Sequence, residues 1–488
     1  MAFVLTLVLA PLLAGLACLW LKSSPQMPRV ALAGALLTLA AALALAWRVV
    51  AGGALLVTHG WLHADGLAAL VALVVAIATL AVTAYGRAYM AVLPGLEAGD
   101  AGWAPGRWEA IVFGLAACTL LSAVANNLGL MWIALEGATL ASAVLVGYYR
   151  RADALEAAWK YLMLCSVGSA LALFATVLLY YSSVALFGES GVGLQWAALR
   201  SVASHLEPRF VKLAFLFALV GYGTKIGLAP MHSWVPDAYS RSPAPASAML
   251  ATALSAASVA ALLRFFAIAR AALGPAWPEH LLAIFGTLSM VIAVPFLLSQ
   301  GEYKRLLAWS GVRHTGFVVL AIGLGTPLAL FGGLLHLLVQ SFATGLAFML
   351  GGTLLRATGS RRMDHCTGVL AADRGLGVLL LIAGAGVAGL PPAGTFVSEW
   401  LALAGGFSGP RPAFAITALA ALVTGFVGLV FHWSRMLMGP AREDFRDALP
   451  RHARAPLWAL ATALVTLGLW LPAPVRALIE RAMESIRP

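Results

Sequence analysis

Charged residues are scarce in this chain: Asp, Glu, Lys and Arg make up only 10% of its 488 residues, against about 25% in a soluble globular protein. Hydrophobic residues make up 61%, and the mean hydropathy is +0.91. Only lipid can cover so much apolar surface, which excludes a soluble protein and predicts an all-α polytopic membrane protein. The formal net charge of +11 does not indicate nucleic-acid binding, because Arg and Lys lie mostly in short connections between apolar runs.

Cysteines and catalytic motifs are equally sparse. The four cysteines (Cys18, Cys118, Cys165 and Cys366) have no close spacing, which argues against a disulfide framework or a cluster site. No dinucleotide fingerprint, phosphate-binding loop or nucleophile–base signature is present. We therefore predict no cofactor and no catalytic site in the chain itself. Any enzymatic activity would belong to a complex that contains it.

Metal ligands are also few. His59 and His63, with Asp65, are close in sequence but lie in a predicted loop without further ligands, so we predict no metal site there.

Long apolar runs predict the membrane spans. A span needs about 20 mostly apolar residues, and the chain offers about fourteen such runs. They cover residues 2–21, 29–50, 66–85, 109–125, 128–149, 155–183, 210–228, 244–270, 279–300, 305–324, 327–355, 375–405, 412–437 and 456–479. The N-terminus lacks the basic segment of a signal peptide, so the first run is predicted to be an uncleaved span.

Basic residues predict the orientation. They concentrate in the connections that follow odd-numbered spans, and the last of these holds Arg435, Arg442, Arg446, Arg451 and Arg454. The positive-inside rule then places those connections in the cytoplasm and both termini in the periplasm of a bacterial inner membrane. The final tail, which is also basic, is an exception.

Two proline breaks predict an internal repeat. The sequence GLAP at 227–230 matches GLPP at 389–392, and an acidic residue, Asp237 or Glu399, follows each final proline by seven positions. Each break lies in the fourth span of a five-span block, and an odd number of spans inverts the second block relative to the first. We predict three N-terminal spans (1–108), inverted blocks at 109–270 and 278–440, and a last span within 441–488. Chance recurrence in a Gly/Ala/Leu/Pro-rich chain is the alternative.

Glu136 and Lys225 are the strongest candidates for chemistry. Both lie deep in predicted spans, where a charge costs several kcal/mol and must face a partner or a polar path. A carboxylate and an amine in contact can hold or release a proton when their separation changes. A static salt bridge that fixes helix packing is the other interpretation, and the spacing leaves both open.

Other polar residues suggest the rest of a path. Glu399 is predicted to be the outlet counterpart of the first site. His336 is either a packing residue or a proton relay. Lys160 is predicted to extend its amine to the interface and to modulate the pair. For His314 a structural role is favoured.

The chain resembles the antiporter-like membrane subunits of respiratory complex I, of multi-subunit sodium/proton antiporters and of membrane-bound hydrogenases. The motifs are LGLMWIALEGATLASA, KIGLAPMHSWVPDAYSRSPAPASAML, EYKRLLAWSGVRHTGF and GLPPAGTFVSEW. LEAAWKYLMLCSVGSALALF and LGTPLALFGGLLHLL are most similar to the hydrogenase-4 type F subunit. The resemblance implies fourteen spans, broken seventh and twelfth helices, two inverted repeats, and proton movement along a polar axis at mid-membrane, driven by a partner in the same complex.

Some positions depart from the family pattern. Ala256 stands where the axis usually has a lysine, histidine or asparagine. His336 is followed by Gln340 and Thr344 instead of a second histidine and a lysine, and PDAH has become PDAY with Tyr239. Gln and Thr can hold water but do not titrate near neutral pH. The middle of the predicted path is therefore neutral.

Three functions remain open at this point. The leading hypothesis is a proton-conducting (or other cation-conducting) subunit of an NADH-quinone oxidoreductase, hydrogenase-4 or Mrp-type complex, beside other antiporter-like subunits and a peripheral redox subunit. A second is a membrane subunit that energises a non-redox partner, as in cation/proton exchange or inorganic-carbon uptake with a zinc-containing subunit. The third is a structural scaffold that has lost conduction.

Overall fold

The computed structural model describes residues 2–90, 104–441, 445 and 450–487. Arg442 and Arg446, which contributed to the predicted orientation, lie outside these residues. The described chain is almost entirely α-helical, as predicted, with one small antiparallel hairpin of β1 (Leu55–Val57) and β2 (Leu62–Ala64), in which Leu56 pairs with His63.

The α-helices follow the predicted apolar runs closely. In chain order they are α1 (Ala2–Leu21), α2 (Met27–Gly52), α3 (Gly66–Met90), α4 (Pro105–Val124), α5 (Leu128–Val146), α6 (Ala152–Phe187), α7 (Trp196–Ser201), α8 (Pro208–Ile226), α9 (Val235–Arg241), α10 (Ala244–Met249), α11 (Ser255–Leu273), α12 (Ala276–Ser299), α13 (Tyr303–Gly323), α14 (Pro327–Thr358), α15 (Val369–Ala372), α16 (Arg374–Ala388), α17 (Gly394–Phe407), α18 (Pro412–Leu437), α19 (Ala455–Leu469) and α20 (Ala473–Ile486). A π-helical turn at Leu250–Leu254 joins α10 to α11, so that Ala244–Leu273 is one continuous helix.

Eleven helices within the described residues are long and apolar enough to cross a membrane, or twelve if α19 and α20 form one bent span. Three further segments were predicted as spans but are not among these eleven helices. Helix α8 carries Arg209, Lys212 and Lys225. Helices α16 and α17 are short because a break divides them, and α19 has only 15 residues.

The last predicted run, 456–479, is not one straight helix, and this expectation is corrected. Helix α19 ends at Leu469, and α20 leaves it at an angle of 80°. Pro472 and Pro474 cause the interruption, since proline cannot donate the backbone hydrogen bond that a continuing helix needs. The basic tail therefore lies on a separate amphipathic helix, where Arg476 pairs with Glu480.

The two predicted helix breaks are confirmed. Gly227 directly follows α8 and Gly389 directly follows α16, both in the left-handed conformation that glycine adopts readily (φ 82° and 74°). The Ala229–Pro230 and Pro391–Pro392 peptide bonds are both cis. After each break the polypeptide resumes as a helix. These helices are α9, which carries Asp237, and α17, which carries Glu399.

Contacts between connections define two ends of the helix bundle. At one end the Tyr148 hydroxyl donates to Ala104 O, and Arg241 lies 3.8 Å from Asp153. At the other end Leu62 bridges to Ala125, Asn127 bridges to Gln195, and Arg200 donates to Arg487 O. Successive connections thus alternate between the two ends.

Burial distinguishes central from peripheral helices. The helix Ala244–Leu273 and α14 are buried along their whole apolar length, whereas α1, α2, α6, α12 and α18 leave most of theirs on the surface. Trp20 and Trp47, for example, are 81% and 73% exposed. Such a surface is suited to lipid, and the polar side chains of the central helices are shielded inside it.

Candidate functional site

Glu136 and Lys225 meet in the interior, as their positions predicted. Lys225 is the penultimate residue of α8, immediately before the break, and is 2% exposed. Its Nζ lies 3.1 Å from Glu136 Oε2 of α5 and also donates to the Thr139 hydroxyl one turn further along α5. The carboxylate accepts a second hydrogen bond from Ser169 of α6. The ammonium group is thus buried, with the carboxylate and the threonine hydroxyl as its acceptors.

Glu136 differs from its partner in exposure. Its side chain is 23% exposed, against 1% for that of Lys225. This exposure is at mid-span, on the apolar helix face that also exposes Ile133 and Leu140, so it is not exposure to water. Each charge therefore depends on the other. The contact itself is present, and whether it moves a proton remains a prediction.

Lys160 and Asp237 lie together at the edge of this site. Lys160 is 51% exposed and lies 2.5 Å from Glu156 Oε1, in the next turn of α6. Its Nζ is 3.9 Å from Asp237 Oδ2, while Arg305 approaches the other Asp237 oxygen at 3.3 Å. Lys160 is thus exposed and paired with acidic residues, and its position at the membrane interface stays a prediction. Asp237 links the helix after the first break to the start of α13.

The middle of the predicted path is buried and neutral. Ala256 is fully buried in α11, and Thr344 donates to Gln340 Oε1 at 3.3 Å within α14. Within the described chain, the buried atoms Gln340 Nε2, Ser255 Oγ and Tyr222 Oη have no hydrogen-bond partner. Buried polar atoms of this kind are usually satisfied by ordered water.

His336 belongs to a hydrogen-bonded chain that sequence reasoning only partly identified. Its Nε2 lies 2.9 Å from Nδ1 of His314, and its Nδ1 lies 2.8 Å from the Ser398 hydroxyl of α17. His314 Nε2 in turn lies 3.0 Å from Val387 O, at the end of α16. The structural role favoured for His314 is untested, but its ring is in direct contact with His336. Their shared position inside buried helices was the available signal, and the sequence did not reveal the pairing.

Two arrangements of protons satisfy this chain equally well. In the first, His314 Nε2–H donates to Val387 O, and His314 Nδ1 accepts from His336 Nε2–H. His336 Nδ1 then accepts from the Ser398 hydroxyl. In the second, Arg313 donates to His314 Nε2, and His314 Nδ1–H donates to His336. His336 Nδ1–H donates to Ser398, whose hydroxyl turns to a backbone carbonyl 2.8 Å away. The two arrangements differ in which nitrogen of each histidine carries the proton, and the ring positions are the same in both.

Arg313 is a buried cation that sequence reasoning missed. It is fully buried, and its Nη2 lies 2.6 Å from Val387 O and 3.1 Å from His314 Nε2. Its Nε and Nη1 lack hydrogen-bond partners among the described residues, as does Glu399 Oε1. Glu399, 7% exposed, interacts electrostatically with this guanidinium. The second break therefore also has an acid near a buried base, as the first does. An arginine inside an apolar run was the sequence signal.

Gly389 lets Glu399 approach the second break. A Cβ atom built on Gly389 would lie 2.2 Å from Glu399 Oε2. Because the same glycine has a positive φ, no other residue fits this position without strain.

The residues near the second break also include side chains that can bind a metal ion. One ligand atom each from His314, His336 and Glu399 lies within 4.8 Å of the others. The guanidinium of Arg313 lies 3.1 Å from His314, and its positive charge would repel a metal cation bound by these residues. The expectation of no metal in this chain stays a prediction.

His63 and Asp65, considered above as metal ligands, belong to a separate polar anchor. Asp65 accepts two hydrogen bonds from Arg264 of α11, at 2.5 and 2.8 Å, and that guanidinium stacks over Trp196 at 4.2 Å. Burial raises the pKa of Asp65, but the arginine more than compensates and holds that pKa well below its usual range. Burial lowers the pKa of His63 to about 4. The anchor joins the hairpin to the central helices.

Comparisons with known proteins agree on one family. The family model described as NADH:quinone oxidoreductase/Mrp antiporter, transmembrane, matches residues 125–425. A hydrogenase-4 component F homolog of Methylacidiphilum infernorum is 34% identical over 365 residues, which are 75% of this chain and 75% of that protein. NADH-quinone oxidoreductase subunit 14 of Thermus thermophilus is 35% identical over 354 residues, covering 72% of this chain and 74% of that one.

Solved structures extend the likeness to nearly the whole chain. A chain of respiratory complex I from Thermus thermophilus has a TM-score of 0.76 at 28% identity and covers 97% of this chain and 99% of its own. A chain of an archaeal membrane-bound sulfane sulfur reductase has a TM-score of 0.87 at 22% identity, covering 99% and 97%. The second likeness shows the fold alone.

Proposed function

The chain belongs to the NADH:quinone oxidoreductase/Mrp antiporter transmembrane family, and on that premise we propose that it conducts protons through Glu136, Lys225 and His336. It is an antiporter-like membrane subunit of the kind found in multi-subunit respiratory complexes. The buried contact between Glu136 and Lys225 at a helix break is the observation that carries the proposal, because a scaffold gains little from two costly buried charges.

The proposed path has three parts. Glu136 and Lys225 load the proton, and Lys160 with Asp237 modulates them from the edge of the bundle. Water held by Gln340, Thr344 and neighbouring hydroxyls carries it past the neutral middle. His336 receives it together with His314, and Glu399 releases it, with Arg313 as the counter-charge. The unpartnered polar atoms in the middle and the hydrogen-bonded pair of histidines support this order.

We also propose the finer topology. Adding α8 with α9, α16 with α17, and α19 to the eleven helices gives fourteen spans, in three N-terminal spans (1–108), two inverted blocks (109–270 and 278–440) and a last span (441–488). The paired breaks after Gly227 and Gly389 support the repeat. The end of the bundle with Arg241 and Tyr148 faces the cytoplasm of a bacterial inner membrane in this proposal. Both termini then face the periplasm.

Proton uptake by reconstituted vesicles tests the role of Lys225. The complex carrying Lys225→Ala is expected to assemble and to lose partner-driven uptake, because the buried cation is removed. The control is Lys160→Ala, which removes an exposed lysine and is expected to slow uptake without abolishing it. Normal uptake by the assembled Lys225→Ala complex would contradict the proposal.

A second candidate differs in what drives the chain. The segment at Ala256, Gln340 and Thr344 has no titratable side chain, which favours a channel that reaches only part of the way across the membrane. Such a half-channel would energise a non-redox partner, for example one for cation/proton exchange or inorganic-carbon uptake. The relatives are named as hydrogenase and quinone oxidoreductase subunits, which favours a redox partner. Identifying the subunits that co-purify in mild detergent separates the two: iron–sulfur or flavin subunits support the first, and a zinc subunit without redox centres supports the second.

A further inference from the structure

A cavity of about 260 Å³ lies at the end of the bundle where α20 crosses the central helices. It is lined by the last turns of α11 and α13, the first turns of α12 and α14, and the end of α20. None of the proposed proton-path residues lines it. The volume is close to the lower end of the range of about 300–1,000 Å³ that is typical of small-molecule sites.

The charged wall of this cavity carries an excess of positive charge. Arg270 and Arg487 line it, together with Glu279, and Arg411 lies directly behind Glu279. Glu279 is 5% exposed and is shared by two cations, at 3.2 Å from Arg270 and 2.9 Å from Arg411. The lining thus holds two guanidinium groups, Arg270 and Arg487, and one carboxylate that is already paired with Arg411.

Arg270 forms an ion pair with Glu279 through its Nε, which lies 3.2 Å from Glu279 Oε1. A guanidinium group has five N–H donors, so Arg270 can bind an oxyanion while it keeps this pair.

Apolar side chains form much of the remaining lining. They are Phe266 of α11, Ile322 of α13, Leu330 of α14 and Ile486 of α20. A small soluble anion needs only the arginines, whereas a molecule with a charged head and an apolar part is matched by both kinds of side chain. Basic pockets between membrane helices recognise anionic lipid headgroups in this way.

From these observations we propose that the cavity binds the phosphate group of an anionic phospholipid, with Arg270 and Arg487 as its ligands and the apolar side chains against the lipid's glycerol and acyl portion. Arg411 neutralises Glu279, so that the carboxylate does not repel the phosphate. A lipid bound in this cavity contacts both the end of α20 and the ends of the central helices. It does not depend on the proton-path proposal.

Native mass spectrometry of the complex in detergent tests this site. The probes are phosphatidylglycerol, phosphatidylcholine and inorganic phosphate, each added alone. Phosphatidylglycerol is expected to bind about tenfold more tightly than phosphatidylcholine, and Arg487→Gln is expected to weaken it by about tenfold, the worth of one charge-assisted hydrogen bond. Arg270→Gln is expected to have a similar effect and retains the Arg411–Glu279 pair.

The matched control is Arg476→Gln, which removes an exposed arginine from the same helix. It is expected to leave binding unchanged. If inorganic phosphate binds as tightly as phosphatidylglycerol and is lost in the same variants, the anion is soluble and the lipid source is wrong. Equal binding of both lipids, or equal weakening by all three substitutions, overturns the site. If Arg270→Gln fails to assemble, Arg487→Gln at the end of the chain decides alone.

Discussion

Neutralising Glu136 and Lys225 separately and together distinguishes a proton-loading pair from a static salt bridge. Removing one partner of a buried pair typically costs about 3–5 kcal/mol, because the other charge is left uncompensated. The exposed part of Glu136 lies at mid-span, on the apolar helix face that also exposes Ile133 and Leu140, so water does not relieve the cost of its charge. We therefore expect Glu136→Gln, which leaves the buried ammonium, and Lys225→Met, which leaves the carboxylate, to destabilise the protein by about 3 kcal/mol each.

The double variant measures the coupling between the two groups. If the two costs added, it would lose about 6 kcal/mol, but removing both charges eliminates the uncompensated one. We expect a loss near 3 kcal/mol, and thus a coupling energy of about 3 kcal/mol. The free energy of unfolding is measured by denaturant titration in mixed micelles. Lys160→Met is the control, with an expected change within about 1 kcal/mol because its ion pair is exposed.

Proton uptake by the same variants gives the second measurement. A loading pair predicts that the double variant is about as stable as either single variant but does not conduct, since no titratable group remains at the break. A static bridge predicts the reverse: conduction persists and only stability changes. Wild-type flux in the double variant would therefore refute the loading role and favour the scaffold. A coupling energy near zero would refute the contact itself.

Three further predictions concern other parts of the molecule. The pKa of His63 is lowered from 6.5 to about 4 in the folded protein, so the unfolded chain takes up this proton at a higher pH than the folded one. The contribution of His63 to the free energy of unfolding should therefore be full above pH 6.5 and fall by up to about 3 kcal/mol as the pH drops to 4. His63→Gln should remove this slope and His59→Gln, on an exposed residue, should keep it; an unchanged slope in the first contradicts the assignment. Gly389→Ala should cost more than about 2 kcal/mol and impair flux through strain and the clash with the nearby carboxylate, whereas Gly114→Ala, with open space around it, should be neutral or stabilising in the same unfolding assay. His336→Gln keeps hydrogen-bonding groups but no titratable ring, so assembled vesicles should lose proton flux; retained flux would make the histidine a packing residue.

The helices were predictable from the sequence because their cause is local. In lipid every backbone polar group must bond within its own segment, so an apolar run of sufficient length forms a helix wherever it lies in the chain. The runs predicted at 2–21 and 327–355 correspond to Ala2–Leu21 and Pro327–Thr358. The breaks were equally local, since glycine and proline fix where a helix ends. The bend before α20 was missed because its prolines were counted into one apolar run.

Several residues of the site could also be predicted from the sequence, but the contacts between them could not. A charged residue in an apolar run is conspicuous whatever its partner, which is why Glu136, Lys225 and Glu399 could be named. His314 was given a structural role and Arg313 no role, although both lie at the middle of the run 305–324. Only the packing of α13 against α14 and α16 brings the two histidines and the arginine together.

The sequence by itself determined that this is a helical membrane protein, where most of its helices begin and end, and which buried charges need explanation. These properties depend on composition and spacing over about twenty residues. The tertiary structure decided which groups touch: Lys225 meets Glu136 across 89 positions of sequence, and Arg264 meets Asp65 across 199. Such contacts depend on how helices cross, and crossing is set by the shapes of many side chains together, which no local pattern encodes.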